Sequence, residues 1–150
     1  MIEWDRGFPA AVVHEFDALG AVWPRLAFRT PIVKLHLFEL SVDQAEEFAT
    51  WPGLACLREM SFSLVDGEEH NDVLVLLADC PGLARLETLN VNNASLGRMA
   101  SLALLDSPHF VGLKALSTSP GWVRGSLPAE LEARLIDRFG PDVLYDAIPF

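Results

Sequence analysis

The sequence predicts an α/β solenoid, a stack of strand–turn–helix units sharing one continuous core. Its first support is repetition. Three segments align without a gap: WPGLACLREMSF (51–62), CPGLARLETLNV (80–91) and SPHFVGLKALST (107–118). Two residues after the proline stands Leu or Phe (Leu54, Leu83, Phe110), and five after it stands Leu (Leu57, Leu86, Leu113). Eight after it stands Met or Leu (Met60, Leu89, Leu116), and ten after it stand Phe62, Val91 and Thr118. The prolines lie 29 and 27 residues apart, a period at which self-similarity marks repeat architectures. The second support is composition. At 150 residues and 51% apolar, the chain can build one core, but no single unit can bury both its strand and its helix alone.

The elements follow in order, as one domain over 1–150 with an N-terminal cap (1–30), about four repeats (31–123) and a C-terminal cap (124–150). Residues 8–16 (FPAAVVHEF) predict a first strand. Trp23–Arg29 predicts a short helix with Pro24 tolerated in its first turn, and Gly20 and Pro24 argue against a longer one. In each repeat the eighth and tenth positions alternate with polar residues (MSF, LNV), the period-two signature of a half-buried strand. Ahead of each proline, apolar residues recur at helical spacing: Ala45 and Phe48, then Val73, Leu76 and Leu77, then Leu102, Leu104 and Leu105. The proline falls where such a helix must have ended. Pro128–Phe139 predicts an amphipathic helix with Leu131, Leu135, Ile136 and Phe139 on one face and Gly140 as its stop. Val143–Tyr145 then predicts a last strand. Both ends read as caps of a complete small domain.

The stretch Leu86–Leu96 (LETLNVNNASL) resembles the leucine-rich repeat pattern L-x-x-L-x-L-x-x-N-x-L, and Ile32–Val42 and Leu113–Val123 look like further copies. The resemblance implies a short right-handed horseshoe segment with a parallel sheet on its concave face and helices outside. The sequence departs from the pattern where the family usually has Asn, because Leu40, Val65, Ala94 and Gly121 occupy that slot. An asparagine ladder is therefore not expected. The ends, DRGFPAAVV and LEARLIDRFGPDVLY, are similar to bacterial leucine-rich repeat proteins common in planctomycetes, without the repeat-companion region those proteins often carry.

Composition also excludes function classes. A formal charge of −10 with only 11 scattered basic residues disfavours nucleic acid and anionic membrane as partners. No apolar run reaches the roughly 18–20 residues of a membrane-spanning helix, and MIEWDRGFPA lacks the features of a signal peptide. The expectation is a soluble cytoplasmic protein. Two cysteines, Cys56 and Cys80, are too few for a disulfide framework or a four-thiolate zinc site and read as packed thiols.

Strand alternation places Lys34, His36 and Phe38 on the outward sheet face, with Glu59, Ser61 and Ser63, then Thr88, Asn90 and Asn92, then Ala115, Ser117 and Ser119. Solenoids use that surface for binding, although an ordinary solvated face is the competing reading. Asp66–Asp72 (DGEEHND) gathers four acids and His70, oxygen ligands that suit calcium, but it lacks EF-hand spacing and reads more simply as a solvated loop. His14, His36, His70 and His109 are dispersed, with no HExxH. Neither a G-x-S-x-G elbow nor a Gly-rich phosphate loop occurs. Trp51 reads as core, while Trp4 and Trp122 are candidate exposed anchors. The expectation is a non-catalytic module that binds another protein, with no cofactor and no metal. Alternatives are an acidic structural or regulatory subunit, self-association through an open sheet edge and, more remotely, a cysteine- or metal-dependent hydrolase.

Overall fold

The proline-anchored positions do in space what their spacing predicts. A computed structural model describes residues 2–5, 8–64, 70–92, 96–118 and 127–144. Among the described residues, six strands form one sheet in chain order: β1 (Ile2–Asp5), β2 (Phe8–His14), β3 (Lys34–Leu40), β4 (Glu59–Leu64), β5 (Thr88–Asn92) and β6 (Ala115–Thr118). The β1–β2 pair is antiparallel and the other four pairings are parallel. The helices are α1 (Phe16–Gly20), α2 (Trp23–Arg29), α3 (Val42–Phe48), α4 (His70–Ala78), α5 (Arg98–Asp106) and α6 (Ala129–Phe139). From α3 to α6 each packs on the next, so a helix layer stacks in step with the sheet. This is a solenoid-like α/β arrangement.

All four repeat positions are buried in all three copies, and the inward residues Leu35 and Leu37 of β3 extend the same core. The second-position residues Leu54, Leu83 and Phe110 sit in single 3₁₀ turns (Leu54–Cys56, Pro81–Leu83, Phe110–Gly112) that carry the chain from helix to strand. At the start of β3, β4 and β5 one carbonyl accepts two successive N–H groups from the next turn of the stack. Val33 O takes Arg58 N (2.8 Å) and Glu59 N (3.0 Å); Arg58 O takes Glu87 N (2.8 Å) and Thr88 N (2.9 Å). Glu87 O takes Lys114 N (2.8 Å) and Ala115 N (3.1 Å). The residue before each repeat proline also reaches back one turn. The Cys80 thiol lies 3.9 Å from Ala49 O as a weak donor, and the Ser107 hydroxyl donates to Ala78 O while accepting from Phe110 N (3.1 Å). Each side chain thus serves a carbonyl at a helix C-terminus that has no partner within its own helix. At the corresponding place Trp51 stacks on Phe16, its ring centroid 4.8 Å away, and packs against Trp23 and Phe48. Half-buried, Trp51 joins the core as the sequence suggests.

Several expectations need correcting. The first strand ends at His14, because Glu15 is the N-cap of α1 and Phe16 turns into the core as a helical residue. Ahead of it β1 adds an antiparallel edge strand that the sequence reading did not anticipate. On α5 the buried stripe is Ala100, Ser101 and Leu104, with Leu102 and Leu105 only half-buried. Val143 does not belong to a strand but to a 3₁₀ turn, Pro141–Leu144, and Tyr145 lies outside the described residues. Gly140 at φ 88° redirects the chain, Pro141 suits the first position of a helical turn, and the Thr118 hydroxyl donates to Val143 O at 3.1 Å. That turn packs against β6. The other edge, β1, is four residues long, carries Glu3 and Asp5, and has a bulge between Glu3 and Trp4, all features that discourage edge-to-edge pairing.

The C-terminal cap is tied down by Arg138. Its guanidinium donates to Leu104 O (3.1 Å), Leu105 O and Phe110 O (2.7 Å), collecting the last carbonyls of α5 and the start of the following turn. Hydrogen bonds to a charged donor are each worth about 1.5–3 kcal/mol in favourable settings. Arg138→Ala should lower unfolding free energy in urea by about 2–3 kcal/mol. Arg138→Lys should restore only a minor part, since a single ammonium cannot span three carbonyls in a planar fork.

Candidate functional site

Parallel register converts alternation into rows that run across the strands. One row is Lys34–Glu59–Thr88–Ala115, the next is His36–Ser61–Asn90–Ser117, and Ser63 pairs with Asn92. The structure therefore brings together the outward residues predicted from the sequence, on the sheet face opposite the buried positions. Lys34 Nζ and Glu59 Oε2 form an ion pair at 2.8 Å, both half exposed, a contact of modest net worth. Thr88, Ser63 and Ser117 are half-buried. Asn92 lies in β5 with its side chain outside the described residues, as is Ser119.

The second row carries most of the chemistry. His36 Nδ1 and Ser61 Oγ share a hydrogen bond, and the His36 ring meets Phe38 edge-on at 5.8 Å and 86°. Burial holds the His36 pKa below its ordinary 6.5, so the ring is neutral at pH 7. Asn90 is only 8% exposed, and its Oδ1 has no hydrogen-bond partner among the described residues. A buried acceptor left unmatched costs about 1–3 kcal/mol.

Phe38 owes its position to a break in the pleat. Leu37 pairs with Phe62 and Leu40 with Leu64, so Phe38 and Glu39 together oppose the single residue Ser63. This bulge turns two consecutive side chains outward, and Phe38 is 51% exposed. Beside them, where β2 and β3 hand the chain to α1 and α3, lies a groove of about 460 Å³. Among the described residues its wall is made by Phe16 with Glu15, Asp17, Phe38, Glu39, Ser41 and Gln44. A capping box fixes Gln44: its backbone N–H donates to Ser41 Oγ (3.3 Å) and its Oε1 accepts from Ser41 N (3.1 Å). Gln44 Nε2 then donates to Asp17 Oδ1 at 3.2 Å, tying α3 to α1. Sequence reasoning missed Glu15, Asp17, Glu39 and Gln44, whose meeting depends on the bulge and on the short helix α1.

Other candidates fare differently. Burial pushes the Cys80 thiol upward, opposite to what a nucleophilic cysteine needs, and Cys56 is half-buried. Residues 66–69 of the acidic stretch lie outside the described residues; Asp72 is exposed in the first turn of α4. The side chains of His14, His70, Trp4 and Trp122 also lie outside the described residues. Among the described residues no three His, Cys, Asp or Glu side chains gather as metal ligands, and no helix is long and apolar enough to cross a membrane. Comparison with protein-family models, curated proteins and solved structures returned no significant match.

Two predictions test this face. An unfolded histidine takes up a proton before the buried His36 does, so protonation favours unfolding. Stability should be complete above pH 6.5, fall as pH drops through the interval down to the depressed folded value, and then level off. His36→Gln should flatten that interval in urea titrations at successive pH values. The Glu87 contribution, held low by Lys114, is lost only below its ordinary 4.5. Asn90→Val removes the unmatched acceptor and adds a β-branched residue to a strand, and should raise stability by about 1 kcal/mol. A loss of that size instead would show that Asn90 Oδ1 is satisfied in solution.

Proposed function

We propose that the chain is a small leucine-rich-repeat-type scaffold that binds another protein through its outward sheet face and performs no chemistry of its own. The alignment of four repeat positions in three gapless copies supports the repeat assignment. One observation carries the binding assignment. A half-exposed phenylalanine, oriented by His36, stands at the margin of rows of short polar side chains in strict cross-strand register. A rigid aromatic anchor beside polar groups that can form directed hydrogen bonds is the usual make-up of an interface centre. The planctomycete-type resemblance of the two ends fits such a role. Cytoplasmic residence is part of the same proposal.

The second reading, an acidic subunit that docks on a basic partner, is favoured by the carboxylates gathered around the groove beside Phe38. The two readings differ in salt response. Charge-led docking weakens steeply as ionic strength rises, whereas docking led by Phe38 does not.

The test is cross-linked capture from the native cell with the wild-type chain and with His36→Ala/Phe38→Ala, each checked for native circular dichroism. Loss of a hot-spot pair should cut recovery of a specific partner by about tenfold or more. Equal recovery with both chains would remove this face from the function.

A further inference from the structure

Asn90 carries a buried acceptor that no described residue uses, although it has a polar neighbour on either side. On β4 its register partner is Ser61, whose hydroxyl is engaged with His36 Nδ1 on the strand beyond. On β6 its register partner is Ser117, which gives Oδ1 no hydrogen bond either. Core packing does not call for the amide, since Leu89 and Val91 on the opposite face fill the interior for β5. An unmatched polar group kept in the middle of the outward face finds its counterpart in a molecule that lies on that face.

We infer that Asn90 reads the main chain of the partner protein: an extended segment lies along the outward face and donates a peptide N–H to Asn90 Oδ1. The inference rests on the partner-binding reading and adds the chemistry of the contact. A neutral donor suits this row better than a cation. His36 is neutral at pH 7 and Ser61, Asn90 and Ser117 bear no charge, so the row offers no carboxylate to offset a buried positive group. A peptide unit in turn suits it better than a lone hydroxyl. The asparagine carboxamide holds an acceptor and a donor in one plane. In a strand-like segment the N–H and C=O of one residue point to the same side, so a single residue can meet both. The spacing along β5 agrees. Thr88 stands two residues before Asn90 on the same face, and an extended chain presents the same side again after two residues, about 6.6–6.8 Å. The half-buried Thr88 hydroxyl can donate or accept and serves the next main-chain group. Because no hydrogen bond holds Oδ1, the amide can turn about χ2 toward an incoming donor without giving one up there.

The test uses the full chain and a displayed library of random decapeptides. The tightest peptide selected on wild type is resynthesised with each backbone nitrogen methylated in turn, which removes one N–H at a time. One methylation should weaken binding to wild type by about tenfold or more, the scale of a hydrogen bond whose acceptor is left unmatched. On Asn90→Val the same methylation should cost less than about twofold, because both changes remove one and the same interaction. Asn90→Val should bind the unmodified peptide about tenfold more weakly while its urea midpoint rises, a split that a purely structural residue does not give. Asn90→Ala removes the amide without adding a branch and should lose the same affinity. The inference is overturned if no peptide is enriched, if wild type and Asn90→Val bind equally, or if every methylation costs the two chains the same. It is overturned as well if the urea midpoint of Asn90→Val falls, since ordered water then already satisfies Oδ1. Failure here is distinguishable from failure of the scaffold reading. A peptide lost on His36→Ala/Phe38→Ala but retained on Asn90→Val keeps the sheet face and discards the main-chain contact, whereas one indifferent to both variants discards the face.

Discussion

One backbone carbonyl at the start of β3, β4 and β5, that of Val33, Arg58 or Glu87, accepts two neighbouring N–H groups from the following turn, and the rest of the molecule is arranged around these three points. The shared carbonyl pins the start of the next strand, and the buried pattern then holds its register. A slip of one residue would exchange every inward side chain for an outward one. With register fixed there, Leu35, Met60, Leu89 and Leu116 come to stand side by side in the core, and so do Leu37, Phe62, Val91 and Thr118. The unequal spacing of the repeat prolines does not disturb these pairings: β4 is one residue longer than β5, and two residues rather than one separate α4 from its following proline. The outward rows are a by-product of the same constraint: once the core residues align, the residues between them must align too.

A stack held together by neighbour-to-neighbour contacts has two vulnerable ends. At one end Trp51 closes an aromatic cluster with Phe16, Trp23 and Phe48, and Trp23 Nε1 donates to Pro52 O at 2.7 Å, binding the first helices to the first repeat proline. At the other, α6 presents Leu131, Leu135 and Phe139 to the core while Arg138 takes up the carbonyls that α5 leaves open. The ends are thus closed by different means. The N-terminal cap relies on large aromatic area, the C-terminal cap on an amphipathic helix and one charged side chain. Between them the pre-proline residues Cys80 and Ser107 repeat one function with different atoms, each turned toward a helix C-terminus of the preceding turn.

How much of this the sequence discloses depends on the range of the interaction involved. The strands of the repeats, the helices ahead of the prolines and the cap helix α6 all depend on local periodicity, and each is legible in its own residues. The outward positions from Lys34 to Ser117 were legible for the same reason, because alternation along a strand fixes the face. The hairpin partner β1 was missed because it has only four residues, and the alternation of Ile2, Glu3, Trp4 and Asp5 is too short to stand out. Helix α1 has only five residues, too few for a helical period to register. Val143 read as strand because an apolar triplet is ambiguous, and the contact that makes it a turn comes from Thr118, far away in sequence. The groove was out of reach altogether. Its members are separated by more than twenty residues, and nothing in KLHLFEL announces that two residues will face one across the ladder.

That extra residue has a consequence of a different order. On either side of Phe38 and Glu39, Leu37 and Leu40 are paired with Phe62 and Leu64, so the ladder is in step both before and after the bulge. The bulge is therefore an insertion that the core does not see. In genetic terms, a single in-frame codon separates a strand with this groove wall from a plain strand matching β4. A lineage can gain or discard the bulge in one mutational event while the paired core positions on either side stay in step, which makes this edge of the outward face separable from the inheritance of the fold.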